Sequence, residues 1–288
     1  MREAEFSDAA LVVFGHGSTL NGESGAPVFQ HVAELRRRNC FREVHAAFWK
    51  QEPRVTELVA SLTAPRVFLV PLFISEGYFS DEVIPKALGF GGSSESRFGR
   101  VRQNGAQSLV YCPPVGTHPA MTAVLRARAA EVVEKFPFPR GPKTSDITLF
   151  IAGHGTQQNE QSRVAIEQQV ERLRAANLYA GVHGLFLEEE PRIDACYRLA
   201  QTRNIVVVPF FISEGMHVAE DIPVLLGQPA RVVQQRLENR QPTWRNPTER
   251  EGRLVWCASC AGTDPRMAEV ILERVRDAAR PLSEAFSG

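Results

Sequence analysis

The chain repeats its own sequence at a constant spacing of 138 residues, and this repeat limits what it can fold into. The tetrapeptide GHGS at 15–18 corresponds to GHGT at 153–156. Further along, PLFISEG at 71–77 corresponds to PFFISEG at 209–215, with the spacing unchanged. Self-similarity at one fixed spacing over about seventy positions indicates internal duplication. We therefore expect two copies of one structural unit within the 288 residues.

Each copy alternates short apolar runs with longer amphipathic segments. Apolar runs rich in β-branched residues are typical of buried strands, and connections long enough for a helix are typical of parallel sheets. The pattern predicts two pseudo-symmetric three-layer α/β domains, each with a four-stranded parallel sheet. The predicted domains cover 1–136 and 146–288, joined by a Pro- and Gly-rich linker at 137–145. The predicted strands are 11–14, 44–48, 66–70 and 109–112, then 147–151, 181–186, 205–210 and 253–257, with loops at 91–107 and 228–253 before the fourth strand of each half.

The composition gives no reason to expect nucleic acid or a membrane as a partner. Lys plus Arg and Asp plus Glu are equal at 33 each. No apolar run approaches the ~20 residues that span a bilayer, and residues 1–10 do not resemble a secretory signal. The five cysteines are scattered and odd in number, unlike a disulfide framework. We therefore expect a cytoplasmic protein, with monomer and homodimer both left open.

Two histidines of the second half follow predicted strands. His154 lies between two glycines after the first strand, and His217 lies in the loop after the third. The carboxyl ends of parallel strands meet at one edge of the sheet, where open α/β sheets bind their ligands. Neutral imidazole binds divalent transition metals and acts as a base near neutral pH. The sequence therefore predicts His154 and His217 as a metal-binding and catalytic pair.

Glutamates occur near both predicted loops. Glu214 lies three residues before His217, and three consecutive glutamates at 188–190 follow the second strand. A carboxylate beside two histidines can complete a metal site or accept protons. We expect Glu188 to be a third metal ligand and Glu214 to contact the substrate. For the glutamates at 188–190, a solvated helix start is the alternative.

The first half lacks one of the two histidines. His16 corresponds to His154, but Phe79 stands where the second half has His217, with Tyr78 before it. Aromatic rings do not bind a cation as imidazole does, but they can stack on a flat ring. We therefore expect His16, Tyr78 and Phe79 to contact substrate and the first domain to have a degenerate metal site; the alternative for His16 is an evolutionary remnant. His45 and His183 lie inside the second predicted strand of each half, where buried, hydrogen-bonded histidines are expected.

The paired motifs, GHGT at 153–156 and PFFISEGMHVAEDIP at 209–223, resemble those of the CbiX-type sirohydrochlorin chelatases. The resemblance covers both halves and implies a class II chelatase fold in which two copies are fused. It also implies insertion of Fe2+ or Co2+ into sirohydrochlorin, in the biosynthesis of sirohaem or cobalamin, with iron favoured. The two histidines of the family correspond to His154 and His217, and no cofactor is implied beyond the metal that is inserted.

Sirohydrochlorin carries many carboxylates, which arginine binds well through its forked donors. Arg54 and Arg192 recur at the same point of each repeat, after the second strand, and Arg192 is expected to contact substrate. A few further arginines of the loops around the fourth strands are expected near the substrate. They are Arg97, Arg100, Arg102, Arg231, Arg236, Arg240 and Arg245.

Other functions are less well supported by the motifs. The segment 15–20 has two glycines of a dinucleotide-binding fingerprint but lacks the third. Cys257 and Cys260 form a Cys-x-x-Cys pair, which leaves a redox or cluster role as an alternative. A tetrapyrrole-binding or metal-delivery protein without catalytic turnover would use the same histidines and remains the main alternative to an enzyme.

Overall fold

The computed structural model of the chain describes residues 6–18, 22–91, 100–156 and 160–285. The chain forms two compact units. Unit 1 comprises Met1–Ala120 and Pro265–Gly288, and unit 2 comprises Met121–Asp264. Within the described residues, no helix is long and apolar enough to cross a membrane.

Unit 1 is built on a five-stranded sheet with the order β2-β1-β3-β5-β4. The first three pairings are parallel, and the edge strand β4 is antiparallel to β5. The strands are β1 (Phe6–Gly15), β2 (Phe41–Phe48), β3 (Arg66–Pro71), β4 (Arg100–Asn104) and β5 (Gln107–Tyr111). The helices are α1 (Ala26–Arg38), α2 (Val55–Ser61), α3 (Ile84–Ala87) and, outside the unit, α4 (Met121–Lys135), with 3-10 turns at Gly22–Gly25 and Val115–Thr117 and a π-helical turn at Phe79–Val83.

Unit 2 repeats this sheet with the order β7-β6-β8-β10-β9. Its strands are β6 (Ile147–Gly153), β7 (Gly181–Phe186), β8 (Asn204–Pro209), β9 (Thr248–Arg250) and β10 (Arg253–Cys257). Its helices are α5 (Glu160–Ala175), α6 (Cys196–Leu199), α7 (Ile222–Leu225) and α8 (Ala230–Glu238), and the chain ends with α9 (Met267–Ala285), which belongs to unit 1. There are 3-10 turns at Thr144–Asp146, Ile193–Ala195 and Ala261–Thr263 and a π-helical turn at His217–Asp221.

The architecture of two α/β units with mostly parallel sheets is as predicted, but each sheet has a fifth strand. The segments predicted as loops contain β4 in unit 1 and both α8 and β9 in unit 2. Neither new strand has a run of apolar residues, since their sequences are RVRQN and TER. Each is the edge strand of its sheet and pairs with one neighbouring strand, so it is not enclosed between two strands.

The core of each unit fills both faces of the central strands. Successive residues of β1 point to opposite faces, and Leu11, Val12 and Val13 are all fully buried. On one face the β1 side chains pack with those of α2 and α3, and on the other the sheet contacts α1 and α9. Helices on both faces explain why these strands are apolar throughout rather than alternating.

The last helix of each repeat packs in the compact unit of the other repeat. Helix α4 contacts β8 and α5 in unit 2, whereas α9 contacts α1 and β3 in unit 1. The compact units therefore differ from the predicted boundaries of 1–136 and 146–288, because a repeat in sequence does not determine which sheet a helix covers.

A buried arginine secures each of these helices to its unit. Arg128 of α4 donates from Nε to the carbonyl oxygen of Cys260 at 3.2 Å and from Nη2 to Thr263 Oγ1 at 2.9 Å. Arg274 of α9 donates in the same way to Pro114 O at 3.0 Å and to Thr117 Oγ1 at 2.6 Å. Both pairs of acceptors lie in the loop that follows the fourth parallel strand, so the contact is repeated along with the fold.

The strand order reverses at the carboxyl ends of β6 and β8. Strand β6 pairs with β7 on one side and β8 on the other, so the chain leaves β6 in one direction and later returns on its other side. Gly153 aligns with Phe186, and Ala152 aligns with Pro209, so the three strands end at one level. Such a reversal of strand order leaves a crevice outside the carboxyl ends of the strands.

Candidate functional site

His154 is the first residue after β6, and a tight turn fixes its backbone. Its carbonyl oxygen accepts hydrogen bonds from the backbone N–H of Leu187 at 3.0 Å and of Glu188 at 3.2 Å. Gly155 follows with φ +59°, and a Cβ there would lie 2.6 Å from Glu189 Oε1 and 2.7 Å from Phe186 Cβ. Only glycine meets both the conformation and the space, so the turn that aims His154 depends on it.

His217 opens a π-helical turn after β8, and a carboxylate orients its ring. Asp221 Oδ2 lies 2.6 Å from His217 Nδ1. Because an ionised carboxylate can only accept, Nδ1–H donates this bond and Nε2 keeps its lone pair. The ring centroids of His154 and His217 are 4.9 Å apart at 88°. The structure therefore brings the two predicted histidines together, and π-helical turns are frequent at functional sites.

Glu188 lies beside His154, where the sequence places it. Its Oε1 is 3.7 Å from His154 Nε2, too far for a hydrogen bond but close enough for electrostatic attraction. His154 Nδ1 is buried and has no hydrogen-bond partner in the described part of the chain. Within those same residues, no group of three or more His, Cys, Asp or Glu side chains is arranged to hold a metal ion. The site thus consists of a histidine pair with a carboxylate on each ring.

A cavity of about 320 Å³ adjoins this site. Glu188, His217 and Asp221 line it together with Arg192, the predicted substrate-binding arginine. Arg192 is exposed and lies just before the 3-10 turn Ile193–Ala195. The cavity wall therefore carries one guanidinium together with the carboxylates of Glu188, Glu220 and Asp221, and apolar residues complete it.

Glu214 makes a structural contact. Its Oε1 accepts the backbone N–H of Cys260 at 2.7 Å, which ties the loop after β8 to the loop after β10. The contact with substrate predicted for Glu214 stays a prediction.

Burial, together with the charge of Glu214, raises the pKa of the Cys257 and Cys260 thiols to about 12. The thiolate is the nucleophilic form of cysteine. Both free thiols are therefore protonated near neutral pH and poorly nucleophilic, and the redox or cluster role stays an alternative.

Unit 1 carries the predicted aromatic residues at the equivalent place. The rings of His16 and Phe79 meet edge to face at 5.4 Å, and those of Tyr78 and Phe79 lie 5.8 Å apart. Tyr78 is 66% exposed and Phe79 is 41% exposed. Lys50 Nζ lies 6.0 Å from the centre of the Phe79 ring. The structure thus groups His16, Tyr78 and Phe79 as predicted and adds a lysine.

The mid-strand histidines differ between the two units. His45 Nε2 is paired with Glu43 Oε2 at 2.9 Å, but His183 Nε2 is buried with no hydrogen-bond partner in the described residues. Gly181 stands at the position equivalent to Glu43, so the partner has been lost. The expectation of a hydrogen-bonded histidine is therefore wrong for His183.

Three of the arginines near the fourth strands donate to backbone carbonyl oxygens, and the expected proximity of a few of these arginines to substrate stays a prediction. Arg100 donates to Asp81 O, Arg102 to Leu88 O, and Arg236 to Thr243 O. These bonds hold loops within each unit. Arg97 lies outside the described residues.

Asp221 is the residue of this candidate site that the sequence reasoning missed. It lies four residues after His217, a spacing that places side chains on the same face of a helix. The strong hydrogen bond between the two was thus foreseeable from a helix beginning at 217. The repeat offered a second signal. Phe79 and Val83 stand at the positions equivalent to His217 and Asp221, so unit 1 lacks both members of the hydrogen-bonded pair.

Comparisons with known proteins agree with this fold. A protein 35% identical over 96% of this chain and 94% of its own length is the probable sirohydrochlorin cobaltochelatase of Halobacterium salinarum. A multi-domain protein of Deinococcus radiodurans, described as structurally similar to chelatases, matches 94% of this chain with a TM-score of 0.75 and 28% identity, and the chain spans 54% of that longer protein. SirB from Bacillus subtilis, solved with Fe3+, shares the fold with a TM-score of 0.66 over 94% of this chain and 95% of its own, at 16% identity.

The family model CbiX matches residues 10–132 and 148–278, one copy in each repeat. The two matches cover most of the chain, and they coincide with the duplication found in the sequence. The chain belongs to the CbiX family of sirohydrochlorin chelatases.

Proposed function

We propose that the protein inserts a divalent transition-metal ion into sirohydrochlorin at the His154–His217 site of unit 2. One observation carries the proposal: two imidazoles lie 4.9 Å apart at the reversal of strand order, and each has its own carboxylate. Imidazole is a good ligand for the borderline divalent ions. The carboxylates offset the positive charge that such an ion brings to the site.

The geometry supports transient binding of the ion between His154 and Glu188. Nitrogen and oxygen ligands lie about 2.0–2.2 Å from an ion such as zinc. The 3.7 Å between His154 Nε2 and Glu188 Oε1 can therefore accommodate one ion in contact with both atoms. His217 presents Nε2 from a ring that Asp221 holds in place. Few protein ligands leave coordination positions for the nitrogens of the ring.

Insertion also requires proton acceptors. The metal-free macrocycle loses two N–H protons when a divalent ion binds its four nitrogens, so two protons must leave for each ion inserted. A neutral imidazole is a suitable base near pH 7. As the ion moves to the ring, His154 and His217 each regain a free nitrogen, and the Glu188 and Asp221 carboxylates stabilise the imidazolium that forms. The proposal needs no cofactor other than the metal.

Arg192 is the proposed contact for a substrate carboxylate. It lines the same cavity as His217 and Glu188, and a guanidinium can bind a carboxylate through two parallel hydrogen bonds. Charge reversal in Arg192→Glu should weaken sirohydrochlorin binding, and an unchanged affinity would exclude this contact.

The identity of the metal is tested by competition. The name of the Halobacterium relative favours Co2+, whereas we expected Fe2+ from the sequence. Imidazole ligands suit both ions. Insertion rates with Fe2+ and Co2+ supplied together under anaerobic conditions would decide between them.

The proposal is tested by following metal insertion through the absorbance of sirohydrochlorin. His154→Ala and His217→Ala should each abolish the acceleration over the spontaneous reaction. His45→Gln is a matched control, because His45 lies mid-strand on β2 and is paired with Glu43. A wild-type protein that binds the ring but does not accelerate insertion would instead support the binding or delivery alternative.

A further inference from the structure

The strand-end site of unit 1 keeps the backbone of the unit 2 site but has different side chains. Both units place a histidine after the first strand and a π-helical turn after the third. Three positions that bear on metal binding differ between them, each pair being 138 residues apart. Lys50 corresponds to Glu188, Phe79 to His217 and Val83 to Asp221.

These three differences reverse the charge of the site. With neutral imidazoles, Glu188 and Asp221 give unit 2 two negative charges, whereas Lys50 gives unit 1 one positive charge. A positive site repels a divalent cation and attracts an anion. The unit 1 site is therefore suited to a carboxylate rather than to a metal ion.

The geometry of unit 1 also supplies a surface for a flat ring. The centre of the Phe79 ring lies 5.4 Å from that of His16, 5.8 Å from that of Tyr78 and 6.0 Å from Lys50 Nζ. Both aromatic side chains are exposed, although large aromatic residues usually lie inside. No described carboxylate forms an ion pair with Lys50. An aromatic face beside an exposed ammonium is suited to a conjugated ring that carries acidic groups.

We propose that Lys50, Tyr78 and Phe79 form a metal-independent binding site for a planar conjugated ring through one of its carboxylates. The Lys50 ammonium pairs with the carboxylate, and the two aromatic rings contact the conjugated system. The inference rests on the proposed function, because sirohydrochlorin is the ring considered. It goes beyond that function by giving unit 1 a site whose occupancy needs no metal and no unit 2 histidine.

The first test measures the affinity for metal-free sirohydrochlorin in the presence of a chelator, by fluorescence titration. Lys50→Glu should weaken binding at least about tenfold, since an attraction becomes a repulsion. Lys86→Glu makes the same charge change at another exposed lysine of unit 1 and should leave the affinity near wild type. Equal affinities of the Lys50→Glu and Lys86→Glu variants would overturn the proposal.

The second test exchanges the three side chains. In a His154→Ala/His217→Ala background, Lys50→Glu, Phe79→His and Val83→Asp should create Co2+ binding in unit 1, detected by visible absorption, together with loss of ring affinity. A folded variant, judged by circular dichroism, that gains no Co2+ signal and keeps its ring affinity would refute the inference.

The two proposals fail separately in these experiments. If unit 2 histidine variants lose insertion while Lys50→Glu binds the ring normally, only the inference about unit 1 is wrong. If the histidine variants insert metal at the wild-type rate while Lys50→Glu loses ring affinity, the unit 2 assignment is wrong and the unit 1 site stands.

Discussion

Asp221 Oδ2 lies 2.6 Å from His217 Nδ1, and this contact decides which ring nitrogen is free to bind a metal ion. The carboxylate keeps the proton on Nδ1 and leaves the lone pair on Nε2. Carboxylates behind metal-binding histidines generally fix the tautomer and the ring orientation in this way. This effect does not require Asp221 to touch the ion, so its role is to position His217.

Replacing the carboxylate with an amide should therefore slow metal insertion without unfolding the protein. We expect Asp221→Asn to lower kcat/KM for insertion by about 10–100-fold, the usual effect of losing such a partner. Glu82→Gln removes a carboxylate from the equivalent turn of unit 1 and serves as the control. Wild-type rates in Asp221→Asn would remove Asp221 from the mechanism.

Gly155 allows a second prediction about how His154 is aimed. Gly155→Ala introduces a Cβ at φ +59°, within 2.7 Å of Phe186 and Glu189. Gly252→Ala is a matched control, because Gly252 has φ +71° and no atom within 4 Å of the added carbon. The conformational cost of about 1 kcal/mol is common to both variants, so any larger loss in Gly155→Ala reports the steric contact.

The measurement for this pair combines urea unfolding with the insertion assay. We expect Gly155→Ala to lose more free energy of unfolding than Gly252→Ala and to lose insertion activity as well, since His154 must move with its turn. Equal stabilities and equal rates for the two variants would show that the turn tolerates the extra carbon.

The sequence predicted the histidine pair because the repeat itself locates strand ends. A constant spacing aligned GHGS with GHGT and one PFFISEG-type loop with the other, so a parallel sheet would place His154 and His217 at the same edge, on strands that are neighbours or one strand apart. Their approach to 4.9 Å follows from the pairing of β6 with β8. Two aligned copies of the motifs therefore locate the strand ends more securely than one copy would.

The features that the sequence did not predict have no distinctive local pattern in the sequence. Strands β4 and β9 are short, polar and at the edge, so they lack the apolar run that marks a buried strand. The placement of α4 and α9 depends on which of two similar sheets each apolar face covers, and the duplicated sequence offers both. No motif marks Lys50 in the sequence. The difference in charge becomes evident only when Lys50 is compared with Glu188 at the equivalent position of the other repeat.

The buried arginine of α4 gives a prediction about stability. Arg128 is 7% exposed and lies 3.3 Å from Asp264, which is fully buried. Arg128→Met keeps most of the side-chain volume but removes the cation, so we expect a loss of about 3 kcal/mol in the free energy of unfolding of unit 2. The double variant Arg128→Met/Asp264→Asn should recover part of this loss, because the buried negative charge is removed too. A single variant as stable as the wild type would show that Arg128 is not needed to hold α4.

The pH dependence of stability should reflect His183, whose buried Nε2 has no hydrogen-bond partner among the described residues. Burial lowers the pKa of His183 below its ordinary value of 6.5, and the charge of Arg174 lowers it further. Above about pH 6.5 the ring is neutral in both the folded and unfolded chain, so it has no effect. As the pH falls below that value, the unfolded chain binds a proton that the folded chain does not, and stability decreases until the lower folded pKa is reached.

We therefore expect the wild type to lose more free energy of unfolding than His183→Gln between about pH 7.5 and about pH 5.5. Urea unfolding of both proteins across this range measures the difference. Burial also lowers the pKa of His118, and it raises that of Glu76, but both groups are present in both proteins and cancel in the comparison. Parallel stability curves for the two proteins would mean that His183 becomes protonated in the folded chain as readily as in the unfolded one.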